Sequence, residues 1–253
     1  MDKHLIRERF ARAIPTYDRH AVVQRHIACR MAELLDEHLP SSAHRRVWEV
    51  GCGTGLFTRA YLKQHTPDDY LLNDLCPEME RTLADLLNER TRFTAGDAEQ
   101  TAPDGLFSLI TSCSSLQWFE EPLRFLETCH AYLNRDGYLA FTLFGEDNFH
   151  ELRDIANASL PYHPLGYWLE AATQRGYRPV LAKEEHTTLT FSSPKDVLQH
   201  LKQTGVTGIR RETWTKGQLI DFIADYAHLF TTPDGQVTLT YHPIYIILKR
   251  QQT

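Results

Sequence analysis

Three glycines within five residues constrain this chain more than any other feature of its sequence. The strand-like run VWEV comes directly before Gly51, Gly53 and Gly55. The segment GLFTRAYLKQH, which begins with Gly55, has the hydrophobic spacing of a helix. Because glycine has no Cβ, such a turn lets the backbone approach a ligand closely. In a doubly wound α/β sheet the turn lies at the carboxyl ends of the strands, where ligands bind. A tight turn that needs glycine would explain one of the three, but hardly all of them.

The segments around this turn alternate between strand-like and helix-like patterns. RRVWEV, YLLND, TRFTAG, FSLITSCSS and GYLAFTLF read as strands, and PEMERTLADLLNER reads as a helix opened by Pro77. RPVLAKEEHTTLTF is expected to be one long sixth strand, and GQVTLTYHPIYIILKR the seventh. Repeated βαβ units predict an α/β fold with a doubly wound, Rossmann-like sheet of seven mostly parallel strands.

Helical additions are predicted at both ends of this alternating region. Residues 1–42 are expected to form an N-terminal helical cap, and residues 192–236 a helical lid insertion between the last two strands. Since the sixth strand is expected to be parallel, the insertion should emerge at the edge that carries the glycine turn. With 253 residues and no repeat or flexible linker, the chain is expected to be a single domain.

Composition excludes several classes of protein. Hydrophobic residues make up 42% and charged residues 24%, and no apolar run is long enough to span a bilayer. The first residues, MDKHLIRERF, are charged throughout and do not form a secretory signal. We therefore expect a cytoplasmic protein with neither membrane nor nucleic acid as a partner.

Cysteine and histidine show no spacing that predicts a metal or a covalent catalyst. The five cysteines are odd in number and contain no CxxC, so reduced thiols are expected. The thirteen histidines are scattered without HExxH, and no metal site is expected. A GxSxG elbow and an obvious Cys/His nucleophile are also absent.

Positive charge is concentrated in two segments, although the net charge of the chain is −6. Residues 1–30 hold seven basic and three acidic residues, and residues 195–217 hold five and two. Such asymmetry marks a surface for an anionic partner, or simply two solvated helices; the sequence leaves both open.

The spacing of the glycines distinguishes between kinds of nucleotide site. A dinucleotide site needs GxGxxG, and Leu56 in the sixth position disfavours an NAD-dependent oxidoreductase. The order Glu49-x-Gly51-x-Gly53-x-Gly55 resembles the first motif of class I S-adenosylmethionine-dependent methyltransferases. In that family the turn wraps the methionine part of the cofactor, and the preceding acid helps to hold its amino group.

Two more acids stand where this resemblance requires them. Asp74 ends the second strand about 20 residues after the glycines, where a carboxylate accepts the ribose hydroxyls in nucleotide folds. Asp97, in AGDAE after the third strand, matches the acid that meets the adenine amino group. A lone aspartate after a strand is usually a turn or cap residue, but three acids at three strand ends are improbable by chance. The resemblance implies S-adenosylmethionine as cofactor and S-adenosylhomocysteine as its product.

A narrower resemblance extends over residues 9 to 248. It is carried by RFARAIPTYDRHAVVQRHIA, EVGCGTG, TAGDAE, SSLQWFEEP, GYLAFTLFGEDNFHEL, KQTGVTGI and TLTYHPIYIIL. These segments resemble the malonyl-carrier-protein O-methyltransferases of biotin synthesis; Cys76 departs from them, since such enzymes commonly carry Ser there. The resemblance implies that the free carboxylate of malonyl-acyl-carrier protein, or of malonyl-CoA, takes the methyl group.

The resemblance also implies a set of site residues. Tyr17 lies in the segment that covers the cofactor in this family, and Trp118 is a candidate for the wall of the pocket. For both residues, packing in the hydrophobic core is the alternative role. Arg210 and Arg211 are the first candidates for meeting the carboxylate and docking the acidic carrier, and Tyr241 and His242 are weaker ones. The expected catalytic residues are Tyr17, Trp118, Arg210 and Arg211. The expected cofactor-binding residues are Tyr17, Gln24, Glu49, Gly51, Cys52, Gly53, Gly55, Asp74, Leu75, Asp97, Ala98, Glu99, Ser114 and Leu116.

This reaction needs neither a protein nucleophile nor an essential proton transfer. A carboxylate with a pKa near ~4 is already ionised at neutral pH. Aligning oxygen, methyl and sulfur and excluding water is enough, and alignment contributes on the order of 7–11 kcal/mol. The alternatives are a methyltransferase of the same fold that acts on a small carboxylic acid or a quinone, and a cofactor-binding regulator without catalysis.

Overall fold

The computed structural model describes residues 2–101, 103–156, 160–205 and 215–251. The strands in these ranges are β1 (Arg46–Val50), β2 (Asp69–Asp74), β3 (Thr91–Ala95), β4 (Phe107–Cys113), β5 (Leu133–Phe144), β6 (Tyr177–Glu184), β7 (Thr187–Phe191), β8 (Val237–Tyr241) and β9 (Pro243–Arg250). Seven of them form one sheet in the order β3-β2-β1-β4-β5-β9-β6. Only β9 runs antiparallel to its neighbours in this sheet, so the predicted doubly wound, mostly parallel α/β fold is confirmed.

The helices of the described residues are α1 (Lys3–His20), α2 (Val22–His38), α3 (Leu56–Leu62), α4 (Pro122–Tyr132), α5 (His150–Ala156), α6 (Leu165–Gln174), α7 (Pro194–Gln203) and α8 (Lys216–Phe230). Side-chain caps fix several of their starts: Asp2 accepts from Leu5 N, Ser193 from Asp196 N, and Thr215 forms a capping box with Gln218. In the described part of the chain, no helix combines the length and hydropathy that crossing a membrane requires.

Apolar side chains pack on both faces of the sheet. Val47 and Trp48 are neighbours on β1, yet they belong to different buried clusters because successive side chains of a strand point to opposite faces. The cluster around Val47 includes Ile27 of α2, and the cluster around Trp48 includes Phe125 of α4. Each fully buried side chain of this size contributes about 1.5–3 kcal/mol. This two-sided core holds the carboxyl ends of the strands in place.

Both of the last predicted strands are in fact pairs of strands. The expected sixth strand breaks at Glu185 and His186 into β6 and β7, and the expected seventh breaks at His242 into β8 and β9. β7 alternates between half-buried and exposed residues and pairs with β8 in a separate two-stranded sheet, whereas β9 is buried on both faces. The prediction of two unbroken strands was therefore wrong.

The helix predicted from PEMERTLADLLNER is also different. The structure has a 3-10 helix, Pro77–Leu83, and no α-helix there. Asn88 provides a physical reason, because its side-chain oxygen accepts hydrogen bonds from the backbone of Arg90 and Thr91. This local turn competes with a continued helix.

The N-terminal cap and the insertion lie against each other. Thr16 of α1 donates a hydrogen bond of 3.3 Å to the carbonyl oxygen of Gln203 at the end of α7. Gly205 has φ +73°, and a Cβ there would lie 3.0 Å from the ring of Phe10. The two predicted insertion helices are present as α7 and α8, and the turn predicted between them lies outside the described residues. Assignment of residues 1–253 to a single domain stays a prediction.

Candidate active site

The glycine turn joins β1 to α3 with all three glycines at positive φ. Gly51, Gly53 and Gly55 have φ of +71°, +54° and +86°. A Cβ on Gly51 would lie 2.0 Å from Oγ of Ser115, and a Cβ on Gly55 would lie 2.6 Å from Leu83. A Cβ on Gly53 would meet no protein atom within 4 Å. Gly51 and Gly55 thus serve close packing, while Gly53 faces open space.

Asp74, at the end of β2, holds this turn. Its Oδ2 accepts a hydrogen bond of 2.8 Å from Gly53 N, and its Oδ1 accepts one of 2.8 Å from Cys76 N. Burial raises the pKa of Asp74, and these two backbone hydrogen bonds oppose the rise. Each oxygen keeps a second lone pair for a hydroxyl group of a ligand.

Glu49, on β1, is almost fully buried behind the turn. Its carboxyl group accepts hydrogen bonds from the Tyr70 hydroxyl and, at 2.9 Å and 3.1 Å, from the Thr58 hydroxyl. Burial raises the pKa of Glu49 to about 8, against the effect of these hydrogen bonds. A cation next to Glu49 would favour the ionised carboxylate, so the group suits a positively charged ligand.

Asp97, after β3, is tied to the first turn of α1. Nζ of Lys3 lies 2.5 Å from Oδ2 of Asp97 and also bonds Glu99. Oδ1 of Asp97 accepts a hydrogen bond of 3.0 Å from Glu99 N, while the Glu99 carboxylate accepts from the backbone of Glu120 and Glu121. Lys3 therefore fastens α1 to the sheet edge beside the glycine turn.

These groups surround one cavity of about 1070 Å³, counted with its open mouth. The predicted site residues that line it are Tyr17, Gln24, Glu49, Gly51, Cys52, Gly53, Asp74, Leu75, Asp97, Ala98, Ser114 and Trp118. The structure thus brings residues from five separate segments of the sequence to one place.

Three predicted cofactor-binding residues do not line this cavity. Gly55 caps α3, Leu116 is fully buried in the core, and Glu99 is engaged by Lys3 and by backbone N–H groups. Arg210 and Arg211, the predicted carboxylate-binding pair, lie outside the described residues.

A smaller cavity of about 400 Å³, also counted with its open mouth, adjoins the first. Both are lined by Phe10, Tyr17, Gln24, Ser114 and Trp118. The smaller cavity adds Gln117, Phe144, Phe149, Leu160, Tyr162, Thr204 and Tyr241. Two adjoining cavities that share one wall can hold two reactants in contact.

Polar atoms in the shared wall lack protein partners. The side-chain oxygen of Gln24 is buried and accepts no hydrogen bond, and the same holds for that of Gln117, which lines the smaller cavity only. Ser114 has φ 55°, an uncommon backbone conformation for a residue other than glycine. Strained backbone and buried polar atoms without hydrogen-bond partners are typical of ligand-binding sites.

Comparison with known proteins supplies the family. Residues 23–210 match the family described as a methyltransferase domain. The chain is 44% identical over 263 residues to malonyl-[acyl-carrier protein] O-methyltransferase of Bacteroides thetaiotaomicron, with all of both chains covered. It is 38% identical over 249 residues to the protein of that name in Haemophilus influenzae, covering 98% of this chain and 95% of the relative. The chain belongs to the malonyl-[acyl-carrier protein] O-methyltransferase family.

The family includes proteins of different length. A Bacteroides fragilis relative of the same name is 47% identical over 250 residues, which are 98% of this chain and 51% of the relative, so this chain spans about half of that protein.

Solved structures show the same fold at low sequence identity. An S-adenosylmethionine dependent methyltransferase from Mesorhizobium loti is 15% identical with a TM-score of 0.54, and 86% of this chain and 96% of that chain are covered. A Haemonchus contortus N-methyltransferase in complex with S-adenosylhomocysteine is 14% identical with a TM-score of 0.55, covering 88% and 52%.

Several lining residues of this methyltransferase were not predicted. The larger cavity is lined by Tyr17, which was predicted, and by four further residues of α1, namely Lys3, Ile6, Phe10 and Ile14. They follow one another at steps of three and four residues, which is the spacing of one helix face. This periodicity was available in the sequence, although only Tyr17 was predicted.

A further unpredicted contact joins α1 to the glycine turn. Oγ1 of Thr54 donates a hydrogen bond of 2.5 Å to Oδ1 of Asp18. It joins residues 36 positions apart in the sequence, and no local pattern predicts it.

The thiols in the cavity are not activated. Burial raises the pKa of Cys113 to about 12 and raises that of Cys52 well above its ordinary value. A thiolate is the nucleophilic form of cysteine. Neither residue is therefore a nucleophile at neutral pH, in keeping with a transfer that needs none.

Proposed function

We propose that this methyltransferase transfers the methyl group of S-adenosylmethionine to the free carboxylate of a malonyl thioester, carried by acyl-carrier protein or by coenzyme A. The relatives described above bear the name of this activity on malonyl-[acyl-carrier protein]. The observation that carries the proposal is the shared wall of Tyr17, Gln24, Ser114 and Trp118 between the two cavities. The product is the malonyl methyl ester, and in the resembling family this ester primes synthesis of the biotin precursor.

The larger cavity fits the methyl donor. Gly53 leaves open space where any other residue would place a side chain, Asp74 offers free lone pairs to ribose hydroxyls, and Glu49 suits a cation. When bound, S-adenosylmethionine supplies a methyl group on a positively charged sulfur that carries its own leaving group.

The smaller cavity fits a short carboxylate. Burial raises the pKa of Tyr17 and Tyr162, so their hydroxyl groups stay protonated at neutral pH. Burial raises the pKa of Tyr241 as well, but its hydroxyl group is already hydrogen-bonded to Nε2 of His200 at 2.7 Å. A protonated hydroxyl donates to a carboxylate oxygen, which orients the carboxylate without removing its negative charge. Aromatic rings, among them those of Phe144 and Phe149, form part of the wall of this cavity.

The acceptor group loses its negative charge in the proposed reaction. A carboxylate becomes an ester, which is a weaker hydrogen-bond acceptor because it carries no charge. The hydroxyl and amide groups of the smaller cavity therefore hold the product less tightly than the substrate. During the methyl transfer itself, no residue of the chain has to gain or lose a proton.

The carrier is proposed to dock where the two basic segments meet. α1 and α7 touch where Thr16 donates a hydrogen bond to the carbonyl oxygen of Gln203, so the described parts of the two basic segments, residues 1–30 and 195–217, are in contact there. Several cations of the first segment, including Lys3, Arg7 and Arg30, already pair with carboxylates of this chain. Arg210 and Arg211 of the second segment are the first candidates for contact with an acidic carrier.

Charge reversal tests this docking surface. Arg210→Glu with Arg211→Glu should raise KM strongly for malonyl-acyl-carrier protein and less for a small malonyl thioester. Arg135→Glu with Arg178→Glu, near the amino ends of β5 and β6, is the matched control. Equal effects on both substrates would contradict docking at this surface.

A substrate panel tests the activity. Purified protein is incubated with labelled S-adenosylmethionine and malonyl-acyl-carrier protein, malonyl-CoA, free malonate or a quinol, and methyl esters are detected by mass. We expect transfer to a malonyl thioester. Preference for a quinol or a small free acid would contradict the proposed substrate, and cofactor binding without any transfer would contradict catalysis.

A cytoplasmic site of action is part of the same proposal. All five cysteines are free thiols in the structure. Reduced thiols are typical of proteins in reducing compartments.

A further inference from the structure

A cluster of titratable side chains that line neither cavity lies after the end of β5 and at two breaks between strands. Asp147 follows β5, His186 lies between β6 and β7, and His242 lies between β8 and β9. Each side chain offers one ligand atom, and these atoms all lie within 4.8 Å of one another. Because the residues are far apart in sequence, the folded chain alone brings them together.

The distances within the cluster converge on one carboxylate oxygen. Nε2 of His186 lies 3.0 Å, and Nδ1 of His242 lies 3.8 Å, from Oδ2 of Asp147. The two imidazole rings stack with their centroids 4.1 Å apart, which keeps both nitrogens on the side of Asp147. Nδ1 of His242 also accepts a hydrogen bond of 3.2 Å from the backbone N–H of Asp147, which an ion bound at Nδ1 would replace. The cluster thus offers two imidazole nitrogens and one carboxylate oxygen within reach of one ion.

The second nitrogen of His242 faces another carboxylate. His242 is 6% exposed, and its Nε2 lies 3.3 Å from Oε2 of Glu184. A metal-binding histidine almost always has its other ring nitrogen near a carboxylate or carbonyl group that orients the ring. Gly145 permits this placement, because a Cβ there would lie 2.5 Å from the His242 ring.

We propose that Asp147, His186 and His242 bind a transition-metal dication such as Zn²⁺ or Ni²⁺, with Glu184 positioning His242. Imidazole suits Zn²⁺, Cu²⁺ and Ni²⁺, whereas Mg²⁺ and Ca²⁺ prefer all-oxygen sites. Three protein ligands leave one position of a tetrahedral Zn²⁺ for water. Asp147 and His186 are exposed, so the ion enters directly from solvent.

A bound ion would join three connections of the fold. It would link the end of β5 to the β6–β7 and β8–β9 junctions, directly beside Tyr241 in the smaller cavity. Because the unfolded chain does not hold these residues together, metal binding should raise the thermal stability of the protein.

The first test is calorimetric titration of the full chain, without a histidine tag and after treatment with a chelator. Cys29→Ser serves as the background, because this exposed thiol also binds soft metals. We expect one Zn²⁺ or Ni²⁺ per chain and no binding of Mg²⁺ or Ca²⁺. His186→Ala and Asp147→Asn should each lower the affinity at least tenfold, and exposed His38→Ala should not change it. Unchanged affinity in both ligand variants would overturn the proposal.

The second test concerns Glu184. If it positions His242, Glu184→Gln should lower the affinity for Zn²⁺ by about 10–100-fold. The matched control is Glu170→Gln on the exposed side of α6. In addition, Zn²⁺ should raise the melting temperature of the parent protein and leave that of His186→Ala unchanged. If Zn²⁺ raised the melting temperature of the parent protein and of His186→Ala equally, the stabilising ion would be bound at another place, and the proposed site would be contradicted.

Discussion

Oδ2 of Asp74 lies 2.8 Å from the backbone nitrogen of Gly53, so the last residue of β2 holds the glycine turn that follows β1. The other oxygen of Asp74 holds Cys76 N in the same way. One carboxylate therefore shapes the turn and also faces the larger cavity. Replacing Asp74 should therefore affect both the conformation of the glycine turn and the binding of a ligand in the larger cavity.

Asp74→Asn tests this dual role. In the variant, the side-chain NH₂ group faces one of the two backbone N–H groups and cannot accept its hydrogen bond, and the negative charge of the carboxylate is gone. Loss of hydrogen bonds to a charged group costs about 1.5–3 kcal/mol, so we expect S-adenosylmethionine affinity to fall about 10- to 150-fold in calorimetry. Exposed Asp104→Asn is the control. Wild-type affinity in Asp74→Asn would contradict a contact between Asp74 and the cofactor.

The glycines of the turn are expected to respond differently to substitution. Gly51→Ala would push its Cβ into Ser115, so we expect a clear fall in melting temperature. Gly53→Ala meets no protein atom and should cost only about 1–2 kcal/mol of backbone strain, while the new methyl group obstructs the cavity. Cofactor affinity should therefore fall more than stability does in Gly53→Ala. A folded variant with unchanged affinity would show that the ligand does not approach Gly53.

Glu49 is expected to make cofactor binding depend on pH. Its pKa is raised to about 8 by burial, so the empty protein holds a proton there at neutral pH. A cation such as the sulfonium favours the ionised form, and binding then releases that proton. The ratio of wild-type to Glu49→Gln affinity should therefore rise from about pH 6 to pH 8, by at most about tenfold per pH unit, and level off above. A ratio that stays constant with pH would contradict a cation beside Glu49.

Strand ends and helix faces were the predictable part of this site. Asp74 ends β2 and Asp97 lies two residues after the end of β3, and the parallel sheet brings such strand ends together. Tyr17 was placed by the resemblance, and the helical spacing from Lys3 onwards would have added its neighbours on the same face.

Contacts between distant segments were not predictable. The pairing of β7 with β8, which splits the last two predicted strands, depends on tertiary packing rather than on propensity. For the same reason the scattered histidines suggested no metal site, although His186 and His242 stack in the folded chain. Spacing along the sequence does not report such proximity.

Lys3 is predicted to slow the departure of the cofactor. Its ammonium group joins α1 to Asp97 and Glu99 at the edge of the larger cavity. Ion pairs that are partly exposed contribute about 0.2–1 kcal/mol each, so Lys3→Met should speed dissociation of S-adenosylmethionine about two- to fivefold in stopped-flow measurements. High salt should have a similar effect on the wild type and little on the variant. With exposed Lys63→Met as control, an unchanged or slower dissociation rate would show that Lys3 does not close the site.

Tyr17 lies on the wall that both cavities share, and it is predicted to orient the acceptor rather than to accept a proton. Tyr17→Phe removes the hydroxyl group and keeps the ring, so kcat should fall about tenfold, the equivalent of roughly 1.4 kcal/mol, while cofactor affinity changes little. Exposed Tyr167→Phe is the control.

The pH profile separates the two roles of Tyr17. Burial raises the pKa of Tyr17 above its usual range, so its hydroxyl group remains a donor at every pH at which the protein is assayed. Wild type and Tyr17→Phe should then have pH–rate profiles of the same shape that differ only in height. If the hydroxyl group served as a general base, the wild type would instead show a rising limb that the variant lacks. Because a carboxylate acceptor arrives already ionised, such a limb would also contradict the proposed substrate.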